Sequence, residues 1–104
     1  MAYANALAVL ADPTRRHVFE RLRSGPRPVK AIAAGLPVSR PAVSQHLKVL
    51  KDAGLVAERS EGARRIYSIR REGLEELRDW LDSFWDDALA AFKAEAERSN
   101  DNVE

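Results

Sequence analysis

PAVSQHLKVL, residues 41–50, interleaves two unlike sets of side chains. Wound at roughly 3.6 residues per turn, Val43, Leu47 and Leu50 fall at i, i+4 and i+7 on one stripe, the pattern of a helix docked on a core. Pro41, Ser44, Gln45 and Lys48 form the opposite stripe. A solvated helix face ordinarily carries long charged side chains in i, i+4 ion pairs. This one holds a hydroxyl, an amide and a single cation, groups suited to reading another polar surface.

The punctuation around this stretch fixes its neighbours. Ser39 is a natural N-cap, Pro41 lies in the first turn where amide donors lack helical partners, and Asp52-Ala53-Gly54 supplies a glycine cap. A short helix over Val29 to Ala34 precedes it, and Gly35-Leu36-Pro37-Val38 turns the chain between the two. Two short helices joined by a tight turn form a helix-turn-helix, in which a small residue such as Ala33 lets the axes approach. Upstream, Tyr3 to Ala11 reads as an apolar helix with Tyr3, Leu7 and Leu10 on one stripe. Asp12-Pro13 then restarts the chain as a second helix, Pro13 to Arg23, which stops at Ser24-Gly25-Pro26 and buries Val18, Phe19 and Leu22.

After Leu55 the period changes. VAERSEGARRIYSI, residues 56–69, predicts two strands about a hairpin turn at Ser60-Glu61-Gly62-Ala63, with Arg59, Arg64 and Arg65 clustered at the tip. From Arg71 to Glu97 one long helix repeats Leu74, Leu77, Leu81, Phe84, Ala88 and Phe92 at spacings of three and four. The fold class is therefore mainly α with a small β-hairpin, in the order helix, helix, helix, helix, hairpin, long helix. Residues 1–98 form a single domain, and 99–104 a flexible tail.

The composition bounds the function. The chain has 104 residues and 45% hydrophobic content, enough for one soluble core. No apolar run approaches the ~20 residues of a membrane span, and Met-Ala-Tyr-Ala-Asn lacks the basic start of a signal peptide. With no cysteine there is no disulfide, thiolate metal site or redox switch, and a cytoplasmic setting is expected. The net charge of +1 hides a division. Residues 1–71 carry 14 Lys and Arg against five Asp and Glu, a net +9, whereas residues 72–104 carry three against eleven, a net −8. That division points to a basic surface for a polyanion and a separate segment with another task.

ADPTRR at Ala11 to Arg16, SRPAVSQHLKVLKDAGLV at Ser39 to Val56, and Gly62 followed by Tyr67 carry a resemblance. Over nearly its whole length the chain resembles the ArsR/SmtB bacterial repressors, which implies a dimeric winged helix-turn-helix protein that binds double-stranded DNA and represses transcription at an inverted-repeat operator. Helix 39–53 is then the recognition helix and the hairpin 56–69 the wing. The major groove admits an α-helix, and its base edges offer partners to Arg, Gln and Ser. Arg40, Pro41, Ser44 and Gln45 are the expected base readers; Lys30, Ser39, Lys48, Arg59, Arg64 and Arg65 are the expected phosphate or wing contacts. The lesser alternative for the wing arginines is that they only guard an exposed strand edge. Arg15 and Arg16 stay open between a family role and surface ion pairing.

Trp80, Phe84, Trp85 and Phe92 invite a ligand-pocket reading, but their helical spacing fits an interface better. The last helix has too little partner surface within so small a domain, so it is expected to bury against a second copy. The expected dimer residues are Leu7, Leu10, Leu77, Trp80, Leu81, Phe84 and Ala88, with the first helix's part also implied by the resemblance. Many relatives sense metals, either through cysteines in the third helix, where this chain has VKAIAAGL, or through His and carboxylates of the last helix, which here has no His. No metal and no cofactor are expected, and the resemblance names no effector. An enzyme is not expected either: there is no nucleophile–base constellation and no Gly-rich phosphate loop. The alternative from another class is a winged-helix dimer acting as a protein-binding adaptor or anti-repressor, which would tend to lose the basic wing and polar recognition face kept here.

Overall fold

The computed structural model describes the backbone of residues 2–101 and the side chains of residues 5–99. Its elements are α1 (Ala2–Leu10), α2 (Pro13–Glu20), β1 (Arg27–Pro28), α3 (Val29–Ala33), α4 (Arg40–Asp52), β2 (Val56–Glu61), β3 (Arg64–Ile69) and α5 (Arg71–Asp101). The expected helical order and the hairpin are present. No helix among the described residues is long and apolar enough to cross a membrane. The Tyr3 side chain, expected on the α1 stripe, and residues 102–104 of the expected tail lie outside the described residues. α5 itself continues past Glu97, through Ser99 to Asp101.

The core is built around α4. Val43, Leu47 and Leu50 are wholly buried, and with Val18 and Leu22 of the second helical segment, Ile32 of α3, and Leu55 and Val56 they form one cluster. Each such side chain contributes about 1.5–3 kcal/mol through burial. α2 and α3 both contact α4, and the expected Phe19 is only half-buried at the edge of the cluster. α2 stops at Glu20, earlier than the expected Arg23, and the chain continues through turns to Gly25, which adopts a φ of 130°.

The α4 ends are well defined. At its start the Ser39 hydroxyl accepts from the Ala42 amide at 3.2 Å. At its end the Gly54 amide donates to the Lys51 carbonyl (2.9 Å) and the Leu55 amide to the Leu50 carbonyl (3.0 Å), the paired bonds of a Schellman motif. Gly54 takes the positive φ, 79°, that this motif requires, and the accompanying apolar contact joins Leu50 to Leu55.

One strand is not legible in the sequence. β1, only Arg27–Pro28, pairs antiparallel with β3, so the sheet has three strands in the order β1-β3-β2. Proline lacks an amide donor and argues against a strand except at an edge, which is where it sits. The hairpin turn is shorter than the expected four residues: Glu61 pairs with Arg64, leaving Gly62 and Ala63 as the loop. Gly62, with φ 63°, occupies the first of the two loop positions, where this hairpin class favours glycine.

α5 begins on the Schellman turn. The Arg70 amide donates to the Leu55 carbonyl at 2.8 Å, and Gly73 lies so close that a Cβ there would sit 2.0 Å from the Gly54 carbonyl oxygen. A mid-helix glycine ordinarily weakens a helix by about 0.5–1 kcal/mol relative to alanine; here the backbone contact requires it. Gly73→Ala should therefore destabilise the fold by about 2 kcal/mol, because overpacking backbone against backbone outweighs the gain in helix propensity. Urea unfolding of the two proteins measures this, and an equal or higher midpoint for Gly73→Ala would show that the helix start can move at no cost.

Candidate nucleic-acid interface

The side of α4 facing away from the core carries Arg40, Pro41, Ser44, Gln45 and Lys48, all exposed. Two open grooves flank this stripe. One is bordered by Lys30, Arg40, Pro41, Ser44, Arg64 and Arg65 together with Pro28, Val29 and Ala63; it joins α3, the start of α4 and the wing tip. The other is bordered by Ser44, Gln45, Lys48, Lys51, Asp52, Glu58, Arg65 and Tyr67, between α4 and the inner face of the wing. Ser44 and Arg65 border both.

Among the described residues, Lys30, Arg40 and Lys48 have no ion-pair or side-chain hydrogen-bond partner. The first turn of α4 contains no acid, so the positive end of the helix is uncompensated there. Ser39 serves as the N-cap; its hydroxyl oxygen is already engaged, leaving the hydroxyl proton to donate.

The strand register separates the wing arginines. Glu58 faces Tyr67, and Ser60 faces Arg65, on the side that carries the core residues Val56 and Ile69. Arg59 faces Ile66, and Glu61 faces Arg64, on the opposite side. Arg59 and Arg64 both pair with Glu61, at 3.4 and 3.9 Å, in exposed contacts worth about 0–1 kcal/mol. Arg59 borders neither groove, so the expected cluster of three does not form as one unit.

Sequence reasoning misses Glu58, and it misses Lys51 and Tyr67 as groove residues. Lys51 Nζ lies 2.8 Å and an Arg65 guanidinium nitrogen 3.1 Å from the same Glu58 Oε1. Tyr67 lies opposite Glu58 in the strand pair and interacts with this carboxylate as well. The Lys51 ammonium, then Tyr67, hold the Glu58 carboxyl down to about 2, while burial and the neighbouring carboxylate push the Tyr67 hydroxyl up. Lys51 continues the stripe of Ser44 and Lys48 at helical spacing, a signal present in the sequence; the Glu58–Tyr67 pairing depends on register and is not.

Arg15 and Arg16 form no ion pair among the described residues, so the surface-pairing reading finds no support there. Their guanidinium groups donate to the Val9 and Leu10 carbonyls at 3.3 and 3.2 Å and so close the end of α1, which has no basic residue of its own in its last turn. The expected interface residues lie on α1 and α5, which contact one another. Leu7, Leu81 and Phe84 are exposed, Leu77, Trp80 and Ala88 are half-buried, and Leu10 also packs against the domain's own core. Trp80 stacks on Phe84 with ring centroids 6.2 Å apart. Leu74, Trp85, Leu89 and Phe92 extend the exposed apolar surface, Phe92 being 75% exposed. No three potential metal-ligating side chains come together among the described residues.

A helix-turn-helix domain family model matches residues 10–59. The HTH-type transcriptional regulator Rv2034 of Mycobacterium tuberculosis is 55% identical over 84% of this chain and 81% of that protein. The chain belongs to the ArsR family of transcriptional regulators. The transcriptional repressor SdpR of Bacillus subtilis is 30% identical over 77% of this chain and 89% of its own length. A crystal structure of a possible transcriptional regulator for arsenical resistance shares 47% identity, covers 86% of this chain and 93% of that one, and superposes with a TM-score of 0.70. A homodimeric winged helix-turn-helix DNA-binding domain from Mycobacterium bovis, a possible ArsR-family regulator, shares 32% identity over 85% of this chain and 82% of that one, with a TM-score of 0.66. β2 and β3 are thus the wing of a winged helix-turn-helix, and α4 its recognition helix.

The Glu58 network gives this wing a pH signature. A carboxyl held near 2, against an ordinary 4.5, contributes stability that is complete above about 4.5 and is lost as the pH falls through 2. The melting-temperature gap between the wild type and Glu58→Gln should be constant near neutrality, shrink below pH 4.5 and be lost only below pH 2. A gap independent of pH over that range would mean that the carboxylate charge adds nothing to the tether.

Proposed function

We propose that the chain is a homodimeric, sequence-specific repressor that acts in the cytoplasm by occluding a promoter, with no enzymatic activity of its own. The observation that carries this is the outer surface of α3 and α4, where Lys30 of α3 and Arg40 and Lys48 of α4 stand without intramolecular partners among the described residues, beside Ser44 and Gln45. Cations left unpaired around an uncompensated helix N-terminus suit a polyanion. Arg40, Pro41, Ser44 and Gln45 read base edges in the major groove. Lys30, Ser39, Lys48, Arg64 and Arg65 hold phosphates, and Arg59, which borders neither groove, contributes least.

Dimerisation is supported by the apolar side of α5. At about 1.5 Å per residue its 31 residues extend about 46 Å, with Leu81, Phe84, Trp85, Leu89 and Phe92 all exposed in the single chain. Leu7, Leu10, Leu77, Trp80, Leu81, Phe84 and Ala88 form the centre of the interface, and that the Mycobacterium bovis relative is homodimeric supports a dimer. Phe84→Asp would place a charge in that interface and should dissociate or unfold the protein. Sedimentation of the wild type as a monomer at micromolar concentration would overturn the dimer.

Two recognition helices related by a two-fold axis enter successive major grooves, so the site is an inverted repeat with half-site centres about 10–11 base pairs apart, or a near multiple. A duplex selected by the wild type from a random pool, and its scrambled counterpart, separate the two kinds of contact. Gln45→Ala and Arg40→Ala should each cost about 1–3 kcal/mol on the selected duplex and little on the scrambled one. Arg64→Ala should weaken both duplexes and flatten the dependence of log K on log salt by about one unit for every phosphate that a subunit no longer neutralises. Equal weakening on both duplexes for Gln45→Ala and Arg40→Ala would mean that the α4 stripe does not read sequence.

A further inference from the structure

We propose that Glu58 is a specificity-determining residue of the DNA-binding face: it fixes Arg65 and Lys51 beside the recognition helix and withholds one unit of positive charge from the phosphate backbone. This rests on the DNA-binding reading above. Glu58 and Asp52 are the carboxylates that border the groove between α4 and the wing, and Asp52 has no ion-pair partner among the described residues. Glu58 differs in that two cations converge on one of its oxygens, Lys51 from the end of α4 at 2.8 Å and Arg65 from β3 at 3.1 Å. The Glu58 side chain is 19% exposed, against 46% for Lys51 and 66% for Arg65, so the carboxylate is the more buried anchor on which the two cations are held as a pair.

Two consequences follow from that geometry. Two cations sharing one carboxylate present one net positive charge to DNA, where they would present two without it. Binding to arbitrary DNA depends almost wholly on such charge, through release of counterions, so the carboxylate weakens it. On a site where the α4 side chains also engage base edges, the fixed positions of Arg65 and Lys51 offset part of that weakening, since their ordering is complete before DNA arrives. Glu58 thus lowers affinity for arbitrary sequence more than for the operator.

The test measures binding to the selected and scrambled duplexes at several salt concentrations. Glu58→Gln should bind the scrambled duplex severalfold more tightly at 0.1 M salt, with log K against log salt steeper by about one unit per subunit. It should gain less on the selected duplex, so the ratio of the two affinities falls. Glu58→Asp, which keeps the charge on a shorter arm, should leave the scrambled-duplex affinity and salt slope at wild-type values. In the Arg65→Ala background Glu58→Gln should lower the ratio less than in the wild type, because part of its effect passes through Arg65. An unchanged ratio, or a parallel fall in affinity on both duplexes with the fold intact by circular dichroism, would overturn the proposal and leave Glu58 a structural tether. A wild type that does not distinguish the two duplexes would instead remove the DNA-binding reading on which it rests.

Discussion

Val43, Leu47 and Leu50 are wholly buried, and their burial commits one side of α4 to the core and the other to solvent. Rotating the helix to pair its polar stripe internally would expose all three apolar side chains, at several kcal/mol. The same packing that stabilises the domain therefore presents Arg40, Ser44, Gln45 and Lys48. Its C-terminal Schellman turn then sets the next two elements. The chain leaves through Leu55 into β2, and α5 starts by bonding back to the Leu55 carbonyl and seating Gly73 on Gly54. Recognition helix, wing and long helix are tied to one another through a few residues around that turn.

Charge is distributed according to this arrangement. The body through Arg71 carries the excess of basic residues, and the change of sign coincides with the start of α5. Within the basic body, cations have separate uses. Arg15 and Arg16 close the end of α1, and Arg21 donates to the Ala34 carbonyl at 2.7 Å after α3. Lys51 and Arg65 join the wing to α4 through Glu58. Among the described residues of this body Arg23, Lys30, Arg40 and Lys48 are left over, and the last three are grouped on the outer surface of α3 and α4, which is how a modest local charge becomes a directed one.

α5 solves a different problem. Its apolar side is wider than α1 can cover, and a domain of this size has no further element among the described residues to place against it. The acids of α5 keep the rest of the helix solvated. The exposed apolar side of α5 thus lies in the acidic segment and the polar stripe of α4 in the basic one, and the Gly54–Gly73 contact joins the two.

The amino-acid sequence by itself determined the helices, their caps, the hairpin and the polar stripe of α4, because each depends on neighbours within a few turns: Ser39 and Asp12 cap locally, and Val43, Leu47 and Leu50 repeat at helical period. It also marked the long apolar helix, from the recurrence of Leu77, Leu81 and Phe84. What depended on distant pairing was decided only by the tertiary structure. β1 is two residues with a proline and acquires strand geometry only by lying along β3. Arg59, Arg64 and Arg65 look alike in the chain, yet a strand period of two and the register with β2 send Arg65 toward Glu58 and Arg59 to the other side. Glu58 becomes a shared acceptor only because β2 passes the end of α4, and Gly73 has its reason only where two backbones meet at a distance that no side chain would fit.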